Sequence, residues 1–95
     1  MNKVILIGRT TKDIELKGDE TKVANFTLAV IRNVNKEVTD FIPCVAFNHK
    51  AEILEKYVKK GNKVAIQGNI QISKYEKDGK TEYNTQVVVD EVFLQ

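Results

Sequence analysis

Apolar residues recur along this chain mostly with a period of two, the spacing of strands that turn alternate side chains to opposite faces. Residues 2–9 form a continuous β-rich run around Val4-Ile5-Leu6-Ile7, expected to be buried on both faces or to lie at an interface. That run is too short for the core of a signal peptide and has no cleavage site, so it reads as a strand. Residues 10–20 are polar, hold Gly18 and Asp19, and read as loop and turn. Over 21–32 the alternation is plain, with Ala24, Phe26, Leu28 and Val30 on one side and Val23, Asn25, Thr27, Ala29 and Ile31 on the other. A polar connection over 33–37 leads to a third strand at 38–47. There Phe41, Pro43, Val45 and Phe47 share one face, and Ile42, Cys44 and Ala46 the other. Pro43 cannot donate a ladder hydrogen bond and belongs at an edge or a bulge.

The period changes at Asn48. Ala51, Leu54, Tyr57 and Val58 stand at helical spacing within 49–60. Asn48 is the expected N-cap, Lys59 and Lys60 the expected last turn, and Gly61 the stop. Alternation returns over 62–75, where Gly68 marks the bend that a small closed barrel needs. Lys77-Asp78-Gly79-Lys80 is a hairpin turn through its Asp-Gly pair, and 81–95 supplies the last strand around Val87, Val88 and Val89. Three strands, one helix and two strands are the plan of the OB-fold, a five-stranded Greek-key barrel with its helix between strands three and four. Folds of this kind take up oligonucleotides and oligosaccharides. All 95 residues read as one domain.

Chemistry of the catalytic kind is poorly represented. His49 is the only histidine, no carboxylate or cysteine cluster has metal-ligand spacing, and neither a phosphate loop nor a nucleophile motif occurs. Asp13 with Glu15, or Asp90 with Glu91, read as solvated charges. No catalytic residue, metal or cofactor is therefore expected. The single cysteine, Cys44, cannot close an internal disulfide, which points to a reducing cytoplasm. No apolar run approaches a membrane span. Net charge is only +2, so any phosphate-binding surface must come from segregation of charge on one face.

The aromatic residues carry more. Phe41 and Phe47 are six residues apart on one strand and share a face, while Ile42, Cys44 and Ala46 suit the inside of a narrow barrel. A strand phenylalanine ordinarily fills a core. Here the core face is already supplied, so these two are expected to point outward, where an aromatic row calls for a ligand. By the same argument Phe26 and Tyr57 read as core. Tyr75 lies where the fourth strand enters the hairpin. Basic residues accompany the row: Lys50 follows Phe47, Lys74 and Lys77 flank Tyr75, Arg32 ends the second strand, and Lys3 and Arg9 bracket the first. Aromatic platforms interleaved with cations suit single-stranded nucleic acid, whose bases offer π-faces and whose phosphates need positive charge. For any one lysine, a solvated surface position is the alternative.

The run from Asn2 to Arg9, with Lys12-Asp13 and Glu15-Leu16 behind it, resembles the opening of bacterial and phage single-stranded DNA-binding proteins. The run from Val23 to Val30 resembles them too, as do Asp40-Phe41-Ile42, Cys44-Val45, Ala51-Glu52, Lys59-Lys60-Gly61, Gln67-Gly68 and the segment from Thr85 to Val88. The resemblance implies an OB-fold assembled as a homotetramer, or a dimer, through the N-terminal strand. It implies binding of single-stranded DNA with little sequence preference in replication, recombination and repair, in the bacterial nucleoid or the cytoplasm of a phage-infected host. It also implies that Phe41, Phe47 and Tyr75 stack bases and that Lys3, Lys50 and Lys74 lie near DNA. Replication and repair proteins are the further partners it implies, recruited by an acidic, Phe-ending tail, whereas this sequence stops at Gln95 without one. Val34 stands where relatives often carry another stacking aromatic, and none of the platforms is Trp, which predicts weaker or shorter engagement of DNA. A competing reading is an OB-fold interaction module of a primosome-like assembly that binds protein first and DNA weakly.

Overall fold

In the computed structural model, which describes residues 1–94, the period-two segments become β1 (Val4–Thr10), β2 (Val23–Ile31), β3 (Thr39–Phe47), β4 (Lys63–Lys77) and β5 (Lys80–Leu94), with α1 (Asn48–Tyr57) between β3 and β4. They close into a barrel of order β1-β2-β3-β5-β4. The expected last strand included Gln95, which lies outside the described residues. Every pairing is antiparallel except the closing one between β3 and β5, which is parallel and joins only Cys44 to Val87 and Val45 to Val88. The β5 side of β3 is thus free upstream of Cys44, and Pro43 sits in that edge segment, where its missing N–H costs no ladder bond.

The inward residues are those the alternation selects. Ala24, Phe26 and Leu28 meet Cys44, Ala46, Val64, Ile66, Val87 and Val89 in one buried cluster, joined by Ala51, Leu54 and Val58 and by Ile14 from the β1–β2 loop. At Gly68 the β4–β5 register shifts, and the two strands continue past the barrel wall as a projecting hairpin. Its tip turns through Asp78 and Gly79 at φ +52° and +76°, as the Asp-Gly pair requires. The projection raises the radius of gyration to 14.0 Å, against about 12 Å for an average domain of this length. No helix among the described residues is long and apolar enough to cross a membrane.

Three local expectations fail around α1. Asn48 is not its N-cap: Phe47 occupies that position and makes no side-chain cap bond. Asn48 instead adopts φ +51°, and its Oδ1 accepts the Lys22 N–H at 3.2 Å, fastening the helix start to the end of the β1–β2 loop. Lys59 and Lys60 are not a last turn, because the helix ends at Tyr57 and Val58 is already extended. Val58 must turn there to bury its side chain on the way to β4. Tyr57 is not core but 56% exposed. It lies about 90° around the helix from the mean direction of Ala51, Leu54 and Val58, with the Lys56 ammonium 5.3 Å from its ring centroid.

Cys44 is 2% exposed. Burial pushes its thiol up to about 12, with a hydrogen bond involving the Leu28 backbone acting weakly in the opposite direction. Native protein at pH 8 is therefore expected to resist a thiol reagent and to react only as it unfolds. A folded pKa above the unfolded one also means that stability holds below about pH 9 and declines between there and about pH 12. Stoichiometric labelling of the folded protein would contradict this placement.

Candidate nucleic-acid interface

The β2–β3 register decides which side chains face outward. Ile42, Cys44 and Ala46 stand opposite Leu28, Phe26 and Ala24 on the core side. Phe41, Pro43 and Phe47 stand opposite Ala29, Thr27 and Val23 on the other. Phe41 is 65% exposed and Phe47 41%. The small Ala29 leaves the flank of Phe41 open. Val45, expected on the same outer face, is 3% exposed, because it lies in the one stretch of β3 with a neighbour on both sides, Asn25 and Val88.

Tyr75 belongs to the same side of the sheet. Val88 pairs with outward Val45, so by alternation Gln86, Asn84 and Glu82 continue that side along β5. Their β4 partners Gln71, Ser73 and Tyr75 share it. Phe47, Phe41 and Tyr75, the last 45% exposed, thus border a single surface whose middle is polar. The Tyr75 hydroxyl donates to Glu82 Oε2 at 2.9 Å.

A hollow of about 500 Å³ opens in this surface, where Lys12 and Lys17 stand beside Asp13 and Glu15 and the floor includes Thr27 and Gln86. The sequence gives no site role to Lys17, and none to Lys12 beyond its place in the family resemblance. They arrive because the β1–β2 loop folds back over the barrel. Lys17 bridges to Val23, and the Lys60 N–H donates to Asp13 Oδ1 at 2.8 Å. The signal available in the sequence was buried Ile14 and half-buried Leu16, apolar residues that a solvated loop would not need.

The expected cations divide. Arg9 stands opposite Ala29, itself opposite Phe41, so it lies two strands from that ring, with Lys63 on its other side. One Arg9 nitrogen donates to Gly61 O at 2.9 Å. Lys77 shares the Tyr75 side by alternation and stands opposite Lys80, giving the hairpin tip two cations there. Lys74 is on the reverse side of the hairpin with Ile70 and Ile72. Lys3 precedes β1 and follows Asn2, whose carboxamide donates to Ile70 O at 2.7 Å and accepts from Ile70 N at 2.9 Å, tying this end of the chain to β4. Lys50 is half-buried in the first turn of α1. Arg32 is engaged by Asp40 through Nε at 2.9 Å and a second nitrogen at 3.0 Å. The bidentate bond to Arg32 holds the Asp40 carboxyl below its usual range. Among the described residues no group of three or more His, Cys, Asp or Glu could hold a metal ion.

A barrel of this strand order with its helix between β3 and β4, and an aromatic and cationic surface on its wall, is an OB-fold of the ligand-binding type. The chain belongs to the single-strand binding protein family, whose model matches residues 1–95. It is 50% identical over 94 residues to a single-stranded DNA-binding protein of Clostridium perfringens, spanning 95% of this chain and 63% of that relative. Single-stranded DNA-binding protein 3 of Clostridium acetobutylicum is 48% identical over the whole chain, which spans 72% of it. A single-stranded DNA-binding protein of Staphylococcus epidermidis is 37% identical over 97% of the chain, which spans 74% of it.

Proposed function

We propose that this chain binds single-stranded DNA without sequence preference, and through it serves replication, recombination and repair in the bacterial or phage-infected cytoplasm. The observation that carries the reading is that Phe41, Phe47 and Tyr75 are exposed on one side of the sheet. Bases stack on the rings, and Arg9, Lys12, Lys17, Lys77 and Lys80 balance the phosphates. Lys3 adds its charge from the start of β1, and Lys50 and Lys74 contribute from the margins. Arg32 contributes least, because Asp40 already balances its charge. Duplex DNA keeps its bases stacked inside and cannot use the platforms.

The test is titration with labelled oligo-dT, beside a duplex of equal length, over a series of salt concentrations. The proposal expects strong preference for the single strand. It also expects log K to fall with log salt at a slope of about −3, from some four to five neutralised phosphates. Equal or absent binding of both would favour a protein-interaction module instead.

Assembly with further copies of this chain belongs to the same proposal. On the outer face of β1, Ile5 is 66% exposed and Ile7 53%, and Phe93 on β5 is 47% exposed. Phe93 is opposite Ala65, which is opposite Ile7, so these residues form one apolar face that copies of the chain can bury against each other as a dimer or tetramer. Ile7→Glu is expected to reduce the oligomer to monomer in sedimentation analysis while leaving the barrel folded. An unchanged sedimentation coefficient would place the interface elsewhere. Replication and repair proteins would meet the DNA-bound assembly as further partners.

A further inference from the structure

We infer that Glu82 is a positioning residue for the Tyr75 platform, its carboxylate holding the ring in the orientation it offers to a base. The inference rests on the reading of Tyr75 as a stacking side chain. Beyond Gly68 the hairpin leaves the barrel, and residues 70–85 are all exposed, so no core packing fixes the ring. Tyr75 and Glu82 are directly opposed in the ladder, and the phenol donates to Glu82 Oε2 at 2.9 Å. This is the one side-chain hydrogen bond found at either residue among those described. Glu82 meets no cation there, since the ion pair of the described residues is Arg32 with Asp40.

A carboxylate with no cationic partner, on a surface that must take up phosphates, repels its ligand. Its two effects on binding therefore carry opposite signs. As a bare charge it weakens binding. As a hydrogen-bond acceptor it pre-orders a side chain that would otherwise lose rotamer freedom when a base stacks on it. The structure assigns the second effect as the larger, because in a two-stranded hairpin no core packing restrains the ring.

The sign is read directly by titrating oligo-dT into the full chain at low salt. Glu82→Ala is expected to weaken binding about three- to tenfold, although it removes a negative charge. Glu82→Gln keeps an acceptor for the phenol and is expected to bind at least as tightly as the native chain. Tyr75→Phe, which keeps the ring and the neighbouring carboxylate but loses the hydroxyl, should lose more than Glu82→Ala, because the repulsion is still there. In the Tyr75→Phe background the effect of Glu82→Ala should reverse and tighten binding, since only the repulsion remains to be removed. Tightening by both Glu82 variants in the native background would overturn the inference. Tyr75→Ala separates the two layers. If it weakens binding while Glu82→Ala strengthens it, Tyr75 is a platform that Glu82 does not position. If Tyr75→Ala has no effect, the platform reading fails and the inference falls with it.

Discussion

Replacing Phe41, Phe47 and Tyr75 together by alanine is expected to abolish measurable binding of single-stranded DNA while leaving the barrel intact. Each stacked base is worth about 1–3 kcal/mol by alanine substitution, so each single variant should lose about 5- to 150-fold in affinity. The three together remove the stacking share and leave only the phosphate contacts of a chain with net charge +2. Stability should barely move, because all three rings are at least 41% exposed and lie outside the core cluster. Melting and titration of the same variants check both halves. A triple variant that melts normally and still binds oligo-dT would contradict the site. One that unfolds would show that the rings belong to the core after all. The Lys12→Ala, Lys17→Ala pair gives a useful contrast, since losing two cations should flatten the salt slope by about 1.4 without removing stacking.

The second large effect is expected at Gly68. A side-chain carbon there would stand 2.2 Å from the Val88 carbonyl oxygen and 3.0 Å from its carbon, with Val87 Cγ1 at 3.1 Å. The obstructing atoms are backbone of the neighbouring strand, so no rotamer change relieves the clash and the strands themselves must separate. They would do so where the β4–β5 register already shifts and the hairpin carrying Tyr75 leaves the barrel. Gly68→Ala is therefore expected to cost about 3 kcal/mol or more, a large share of the stability of a small domain. It should also weaken DNA binding in whatever protein remains folded, because it displaces the root of the hairpin. Gly79→Ala is the control. Its φ is +76° but nothing lies within 4 Å, so it should cost only about 1 kcal/mol, the price of a left-handed backbone. Urea melts that ranked Gly79 above Gly68 would refute this account of the bend.

Much of this architecture is legible in the sequence, for a physical reason. A strand buried on one face must alternate, and β2, β3 and the first half of β4 do, so the inward set from Ala24 to Ile66 follows from counting by two. The same count places Phe41 and Phe47 outside. Counting stops being sufficient where exposure depends on a neighbour distant in sequence. Val45 obeys the alternation yet is buried, because β5 pairs with β3 only beside it. Lys74 follows the alternation too, but proximity to Tyr75 along the chain places it on the opposite side of the hairpin. Arg32 is a free cation in the sequence and half of an ion pair in the fold, with Asp40 eight residues away. Asn48 has the chemistry of an N-cap, yet the β1–β2 loop takes its carboxamide first. Lys12 and Lys17 reach the site only because the same loop is held against the barrel end. Each difference is one of tertiary contact overriding a local rule.

Binding of DNA to one surface of the barrel is tested most directly by seeing which residues sense the DNA. The amide and aromatic NMR signals of the native chain would be followed as oligo-dT is added in steps. Shifts are expected to concentrate at Phe41, Phe47, Tyr75, Thr27, Gln86 and Lys12, with Glu91 and Gln67 on the outer β4–β5 wall unmoved. Shifts clustered on that wall, with Phe41 and Tyr75 unchanged at saturating DNA, would contradict this placement of the site.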